Sequence, residues 1–258
     1  MDNQIEKRNK LAADVLRLSR NTLLVNLRFL DAALNRLEPL PVEGISLATD
    51  GEVLAYDPTH ILRTYKEERE SVVRAYLHMV FHSVFRHMFV HTLVDHPIWD
   101  LSCDIAVEYV ISGLGIRAAT IRRELLQKSV YTELQKAVGQ LTAEKIYRYY
   151  LNKQLSREKI AELRGAFYFD DHSIWYMNDA EKALALGRPL TIRVTIEPDS
   201  GSEKEIRGEG NAQTIAGIEA EWAEISRRMQ MDMETFSKRQ GDRAGGLIQN
   251  LREVNREK

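Results

Sequence analysis

Apolar residues recur at helical spacing from residue 5 to residue 37: Leu11, Val15, Leu18, Leu23, Leu27, Leu30 and Leu34. Positions three, four and seven apart share a helix face, so the pattern predicts one long amphipathic helix or two short ones. Two prolines and a glycine in "EPLPVEG" end it. Ile45 and Leu47, then Val53, Leu54 and Tyr56, flank "TDG". An Asp-Gly turn between apolar runs predicts a β-hairpin, with Pro58 at its exit.

Residues 60 to 94 read as helix. In "AYLHMVFHSVFRHMFVHTLV" nearly every face is apolar, which marks a core helix. His78, His82, Arg86, His87 and His91 interrupt it, so it is no membrane span. "DHPIWD" ends it at Pro97, and a second apolar helix, "LSCDIAVEYVISGL", closes at Gly113 and Gly115. Residues 117 to 164 are helical and more polar. "FYFDDHSIWY" interrupts the helices, the stretch 189–208 reads as a further β-hairpin, and residues 213 to 238 return to helix. The expected fold is α+β, mostly helical, with a small sheet that includes an N-terminal hairpin. The expected organisation is one domain over 1–258. It has a helical segment at 1–40, the hairpin with a histidine-bearing and an acidic helix at 41–115, a helical part at 116–240 and a polar tail at 241–258.

The balance of charge changes this picture little. A net charge of −2 offers no basic surface for nucleic acid or an anionic membrane. One cysteine, Cys103, excludes an internal disulfide framework and suits a reducing compartment. The N-terminus lacks the apolar run of a signal peptide, and no stretch approaches the roughly 20 apolar residues of a membrane span. The expectation is a cytoplasmic protein, with no nucleic-acid or membrane partner.

The chemistry concentrates in the histidine helix. Residues i and i+4 lie about 40° apart around a helix axis, so His78 and His82 point the same way and can share one metal ion. Two hydrogen-bonded core histidines would show the same spacing. His87 and His91 repeat it on another face, near the helix end, where histidine also suits the dipole. Asp104 and Glu108 stand one turn apart on the next helix, among Ile105, Val107 and Val110. Buried carboxylates need a cation or a hydrogen-bonded partner; a metal would serve, as would Arg74, Arg86 or Arg117. "DDHSIW" adds Asp170, Asp171 and His172. The aspartates read as helix caps, while His172 could reach a metal or a substrate carbonyl. Cys103 reads as a small buried apolar residue.

The ordered motifs resemble a bacterial metallopeptidase-type domain found upstream of a von Willebrand factor A-like domain and often encoded with MoxR-type AAA ATPases. The resemblance runs through "ISLATDGEVLAYDPTHILRTYKEERESVVRAYLHMVFHSVFRH", "WDLSCDIAVEYVI" and "DDHSIW", and more weakly through "EWAEISRRM" and "GDRAGGLIQNL". It implies a zincin-like domain with a hairpin strand as a peptide-binding edge. By resemblance, His78 and His82 are the metal histidines and Asp104 the third ligand, with one Zn2+ or another divalent ion as cofactor. Two positions depart from the family. Met79 stands where the family has the glutamate that takes a proton from water, and Glu108 stands where many members have Asn. The von Willebrand A-like domain expected downstream is not in the sequence.

Two readings follow. One is a zinc-dependent metallopeptidase-like protein acting on peptides or proteins, with Glu108 replacing the missing base as the catalytic carboxylate. Glu108 could equally be a fourth ligand or a salt-bridge partner. The other reading is an inactive metal-binding adaptor or peptide-binding module that works with a MoxR-type AAA ATPase or a von Willebrand A-like partner.

Overall fold

The computed structural model describes residues 2–89, 93–189, 215–240 and 245–256. In chain order these form α1 (Asp2–Asn26), α2 (Asp31–Leu34), β1 (Glu38–Pro41), β2 (Leu47–Thr49), β3 (Val53–Tyr56), α3 (Pro58–Glu67), α4 (Arg69–Val84) and α5 (His96–Leu114). They continue with α6 (Glu124–Val138), α7 (Ala143–Asn152), α8 (Arg157–Phe167), α9 (Asp179–Ala185), α10 (Ile215–Gln240) and α11 (Gly245–Arg256). The protein is α+β and mostly helical, and among the described residues there is one three-stranded mixed sheet ordered β1-β3-β2. The hairpin expected at 189–208 and His91 lie outside the described residues.

The Asp-Gly turn makes the hairpin expected of it: β2 pairs antiparallel with β3, Ala48 opposite Ala55. Asp50 Oδ1 accepts from the backbone N–H groups of Glu52 and Val53, and Gly51 takes φ +89°. The turn is packed as well as bent, because the Trp222 indole of α10 donates to the Gly51 carbonyl at 2.6 Å. β1 adds in parallel on the other side of β3.

Neither edge of this sheet is free to receive a peptide, which corrects the expectation of an open hairpin strand. On β2, Asp171 N–H donates to the Leu47 carbonyl (2.8 Å) and the Trp175 indole to the Thr49 carbonyl (2.9 Å). The chain's own 171–175 segment therefore covers that edge. Along β1, Glu38 N–H donates to the Glu52 carbonyl just before β3, and Val42 N–H, just after β1, donates to the Tyr56 carbonyl. The two-residue alternation of a strand then puts Pro39 and Pro41 on the outward positions, where neither has an N–H to offer.

The histidine helix is shorter than its apolar pattern. A break at Glu68 separates α3 from α4, and α4 stops at Val84 rather than near residue 94. The stop is a Schellman turn made without glycine. Arg86 N–H donates to the Ser83 carbonyl, His87 N–H to the His82 carbonyl, and Arg86 itself sits at φ +59°. The Arg86 guanidinium donates to the Val254 carbonyl at the end of α11, which ties down the residue that carries the strain. α5 is capped by Asp95, whose side chain accepts from Ile98 N–H, so Pro97 falls in its first turn.

The tail expected to be polar from 241 is folded over 245–256. Leu247, Ile248 and Leu251 of α11 are buried against the core, and Val254 packs beside them. Two apolar clusters fill the interior. One gathers α1, α3 and α4 with α10 and α11; the other gathers α6 to α8 and the 167–175 segment. α5 contributes to both, and the polar side chains described next lie along it.

A Cβ added at Gly51 would meet Phe89 Cζ at 2.9 Å and would have to keep a left-handed φ. Gly51→Ala is expected to cost about 1–3 kcal/mol and to lower the thermal midpoint by several degrees. An unchanged melting curve would show that the turn relaxes freely.

Candidate metal centre

Two helices place the site. Arg74, His78 and His82 succeed one another four residues apart on α4, and Asp100, Asp104 and Glu108 do so on α5. Each set forms one stripe. The helices run antiparallel, so the stripes interlock: Arg74 meets Glu108, His78 meets Glu108 and Asp104, and His82 meets Asp104. The third element is the extended stretch after α8. Residues two apart in an extended chain face the same way. Asp170 and His172 point inward, while Asp171 turns back to accept from Ser173 N–H at 2.8 Å.

Five donors converge. His78 Nε2 and His82 Nε2 are 2.7 Å apart. Asp104 Oδ1 lies 3.4 Å from each and 3.3 Å from His172 Nε2. Asp170 Oδ1 is 3.2 Å from His78 Nε2, and its Oδ2 is 3.0 Å from His172 Nε2. All five donor atoms fit within 4.8 Å, and none of the five residues is more than 3% exposed. Donors about 2.0–2.2 Å from one tetrahedral ion stand about 3.3–3.6 Å apart; the Asp104 contacts with His78, His82 and His172 match this, and the 2.7 Å between the His78 and His82 nitrogens would have to open slightly around an ion. Asp104 Oδ1, both Asp170 oxygens and His172 Nε2 are buried without a partner in good hydrogen-bond geometry, and what they have instead is one another at ion-pair distance. Unsatisfied carboxylate oxygens aimed at imidazole nitrogens fit a cation between them. The residues present could therefore hold a metal ion.

Each histidine is braced from behind. His78 Nδ1 meets Glu108 Oε1 at 2.9 Å, His82 Nδ1 meets His87 Nδ1 at 3.0 Å, and His172 Nδ1 lies 3.4 Å from Asp100 Oδ1. Such outer contacts fix the tautomer and aim the other nitrogen at the centre. The His172 ring also stacks on Trp175 at 3.7 Å. Glu108 in turn is held by Arg74 (2.7 Å) and Gln127 (3.0 Å).

The charges of the cluster favour protonated histidine where a cation would otherwise stand. Burial disfavours the charged form of His78, but Asp104, Asp170 and Glu108 outweigh it and raise its pKa well above the ordinary value. Burial likewise opposes His172⁺, yet Asp170 and Asp104 hold its pKa up to about 10. His82 is pushed down by burial and by the neighbouring His78 charge, and His87, buried and near His172, falls to about 3. Burial lifts Asp104 to about 6, whereas Asp170 stays well below its usual range because His172 and His82 overcome its burial.

Of the residues singled out in the sequence, His78, His82, Asp104 and His172 come together. Glu108 does not join them. It sits behind His78, its Oε2 taken by Arg74 and Gln127 and its Oε1 by His78, so the expectation of a Glu108 contact with a metal or its water gives way to an ion pair and a histidine brace. His87 braces His82 and belongs to no second pair on α4, because the helix has ended before it. Met79 is fully buried in the apolar core. Asp170 was missed: reading both aspartates as caps suited Asp171 alone. The i, i+2 spacing of Asp170 and His172 was the available signal.

A mostly helical α+β protein with a buried cluster of three histidines and two aspartates fits the class of metal-dependent, peptidase-like proteins. The chain belongs to the family described as "Putative metallopeptidase domain", whose model matches residues 18–255. No curated protein and no solved structure matches it.

Glu108→Gln removes the anion from a buried pair while Glu124 still touches Arg74. It is expected to cost about 3 kcal/mol, the low end for breaking such a pair. Urea denaturation reads this directly, and a change under about 0.5 kcal/mol, the level of an ordinary surface substitution, would make the pair dispensable.

Proposed function

We propose that the protein is a metal-dependent peptidase-like hydrolase in which His78, His82 and Asp104 hold one divalent ion, with Zn2+ the first candidate. The observation that carries this reading is the convergence of five buried donors, among them carboxylate oxygens of Asp104 and Asp170 without a hydrogen-bond partner. Two imidazoles and a carboxylate are a donor set suited to zinc with a position left open. The ion, when bound, polarises the scissile carbonyl and acidifies water. The base is then sought among the chain's own remaining groups, because Met79 has no proton to exchange. Asp170 is a carboxylate at neutral pH and can accept the proton that the attacking water loses. His172, with Nε2 3.0 Å from Asp170 Oδ2, can carry a proton to the leaving amine. Asp100 and Trp175 hold the imidazole in place for that transfer.

A second reading has its own support. All five donors are buried and Met79 is apolar, so Asp170 and His172 could ligate as well and close the site. The domain would then be a metal-stabilised adaptor for a peptide, a MoxR-type AAA ATPase or a von Willebrand A-like partner. No described helix is long and apolar enough to cross a membrane. With the single cysteine free and buried, we infer a cytoplasmic protein under either reading.

Elemental analysis separates these. The purified protein should carry about one zinc, and His78→Ala/His82→Ala should lose it along with thermal stability. Metal retained in full by that double variant would end the metal assignment. Asp170→Asn and His172→Gln should keep zinc but abolish peptide hydrolysis if they are the acid–base groups. Loss of zinc in both would favour the closed, adaptor site.

Protons should leave as the metal enters. In the metal-free cluster the surrounding carboxylates favour protonated His78 and His172; a ligand His78 must give up its proton to the metal, and His172 does so only where it ligates as well. Affinity should therefore fall as pH falls. Calorimetric titration at pH 7.5 in two buffers of different ionisation enthalpy should report about one or two protons released per ion. Release of none would mean that His78 is already neutral before the metal binds.

A further inference from the structure

The cluster is closed to solvent, so the peptidase reading needs a way in. A cleft of about 440 Å³ lies beside it, with Ser46, Thr64, Arg123, Tyr168 and Phe169 among its walls. Phe169 belongs to both places. It lines the cleft, it directly precedes Asp170, and its ring rests against the His78 ring with centroids 5.1 Å apart. One aromatic ring thus stands between the cleft and a donor of the cluster.

Arg123 is the unspent charge of this cleft. Its guanidinium carbon lies 4.1 Å from the Phe169 ring centroid, and the residue is half-buried. A guanidinium so placed is ordinarily paired with a carboxylate. Among the described residues none forms an ion pair with it: Glu108, Asp104 and Glu68 act on it only through space. The carboxylate that does line the cleft, Glu68, is occupied by the Ser71 hydroxyl and the Arg122 backbone N–H. An arginine held over an aromatic face still has N–H groups to offer a planar, two-point partner.

We propose that this cleft is the substrate entrance and that Arg123 binds a carboxylate of the peptide there, with the Phe169 ring between that carboxylate and the cluster. The carboxylate belongs to the C-terminus of a peptide or to an Asp or Glu side chain. Arg123 acts as a binding and specificity residue. The inference rests on the peptidase reading for its substrate, although the binding step itself needs no metal.

Three peptides test it by isothermal titration calorimetry, against the full chain with and without bound zinc: N-acetyl-tri-alanine, its C-terminal amide, and N-acetyl-Ala-Glu-Ala-amide. The tri-alanine amide should bind at least tenfold more weakly than one or both of the others. Preference for the free C-terminus or for the glutamate identifies the source of the carboxylate. Arg123→Gln should weaken the preferred peptide at least tenfold, and Arg123→Lys should restore part of the loss, with the melting temperature of both variants measured as a check on folding. Equal binding of all three peptides, no binding at millimolar concentration, or an Arg123→Gln variant that binds like the parent overturns the proposal. Zinc content measured on the same samples keeps the two ideas apart. Carboxylate binding by a protein that takes up no zinc supports the cleft and removes the peptidase reading; zinc without carboxylate binding does the reverse.

Discussion

Two carboxylates, Asp104 and Asp170, are held out of water within reach of three imidazoles, and the rest of the arrangement follows from that. An ion the size of a carboxylate moved into a protein interior costs several kcal/mol even after relaxation. The cost must be met by opposite charge close by. In this cluster protonated histidines supply it, and a divalent cation would supply more in less space. The histidines are in turn prevented from turning away. Glu108, His87 and Asp100 each hold the outward nitrogen of one ring. The centre is therefore set from its periphery, and Arg74, which touches no donor of the cluster, helps to aim His78 through Glu108.

The interlocked stripes of α4 and α5 also fix where the side chain at position 79 goes. A residue one place after His78 is turned about 100° from it. Here that direction leads into the core shared by α1, α3 and α4, where Met79 is fully buried. The helix thus has a ligand stripe and an apolar face side by side. A protein that hydrolyses peptides with this frame must draw its base from elsewhere, and the stretch after α8 brings a carboxylate and an imidazole together.

Much of this was legible in the chain, for identifiable reasons. His78 with His82 and Asp104 with Glu108 obey the i, i+4 rule on helices whose apolar surroundings make the polar residues conspicuous. The Asp-Gly hairpin carries its own turn chemistry. The misses have causes too. Nothing in "HSVFRHMF" announces a helix end, because the left-handed position that glycine usually fills is taken by Arg86, held by a carbonyl about 170 residues away in the chain. Asp170 was hidden by Asp171, which really does behave as a local turn acceptor. Glu108 was read toward the metal because sequence shows which stripe a residue occupies and not which neighbour claims it. The last helix escaped notice because Leu247, Ile248 and Leu251 are few among many charges.

The segment that supplies Asp170 and His172 is also the segment that lies along β2, through Asp171 and Trp175. The integrity of the cluster and the protection of that edge are thereby mechanically coupled. When the stretch lets go, it withdraws two donors from the cluster and strips the cover from a short, wholly buried strand at the same moment. An ion that holds those donors would therefore act as a safeguard of solubility as well as of folding: chelation would expose a row of unpaired backbone groups ready to template association with another copy. The state of the metal would then govern how the protein behaves at high concentration, whatever chemistry it performs.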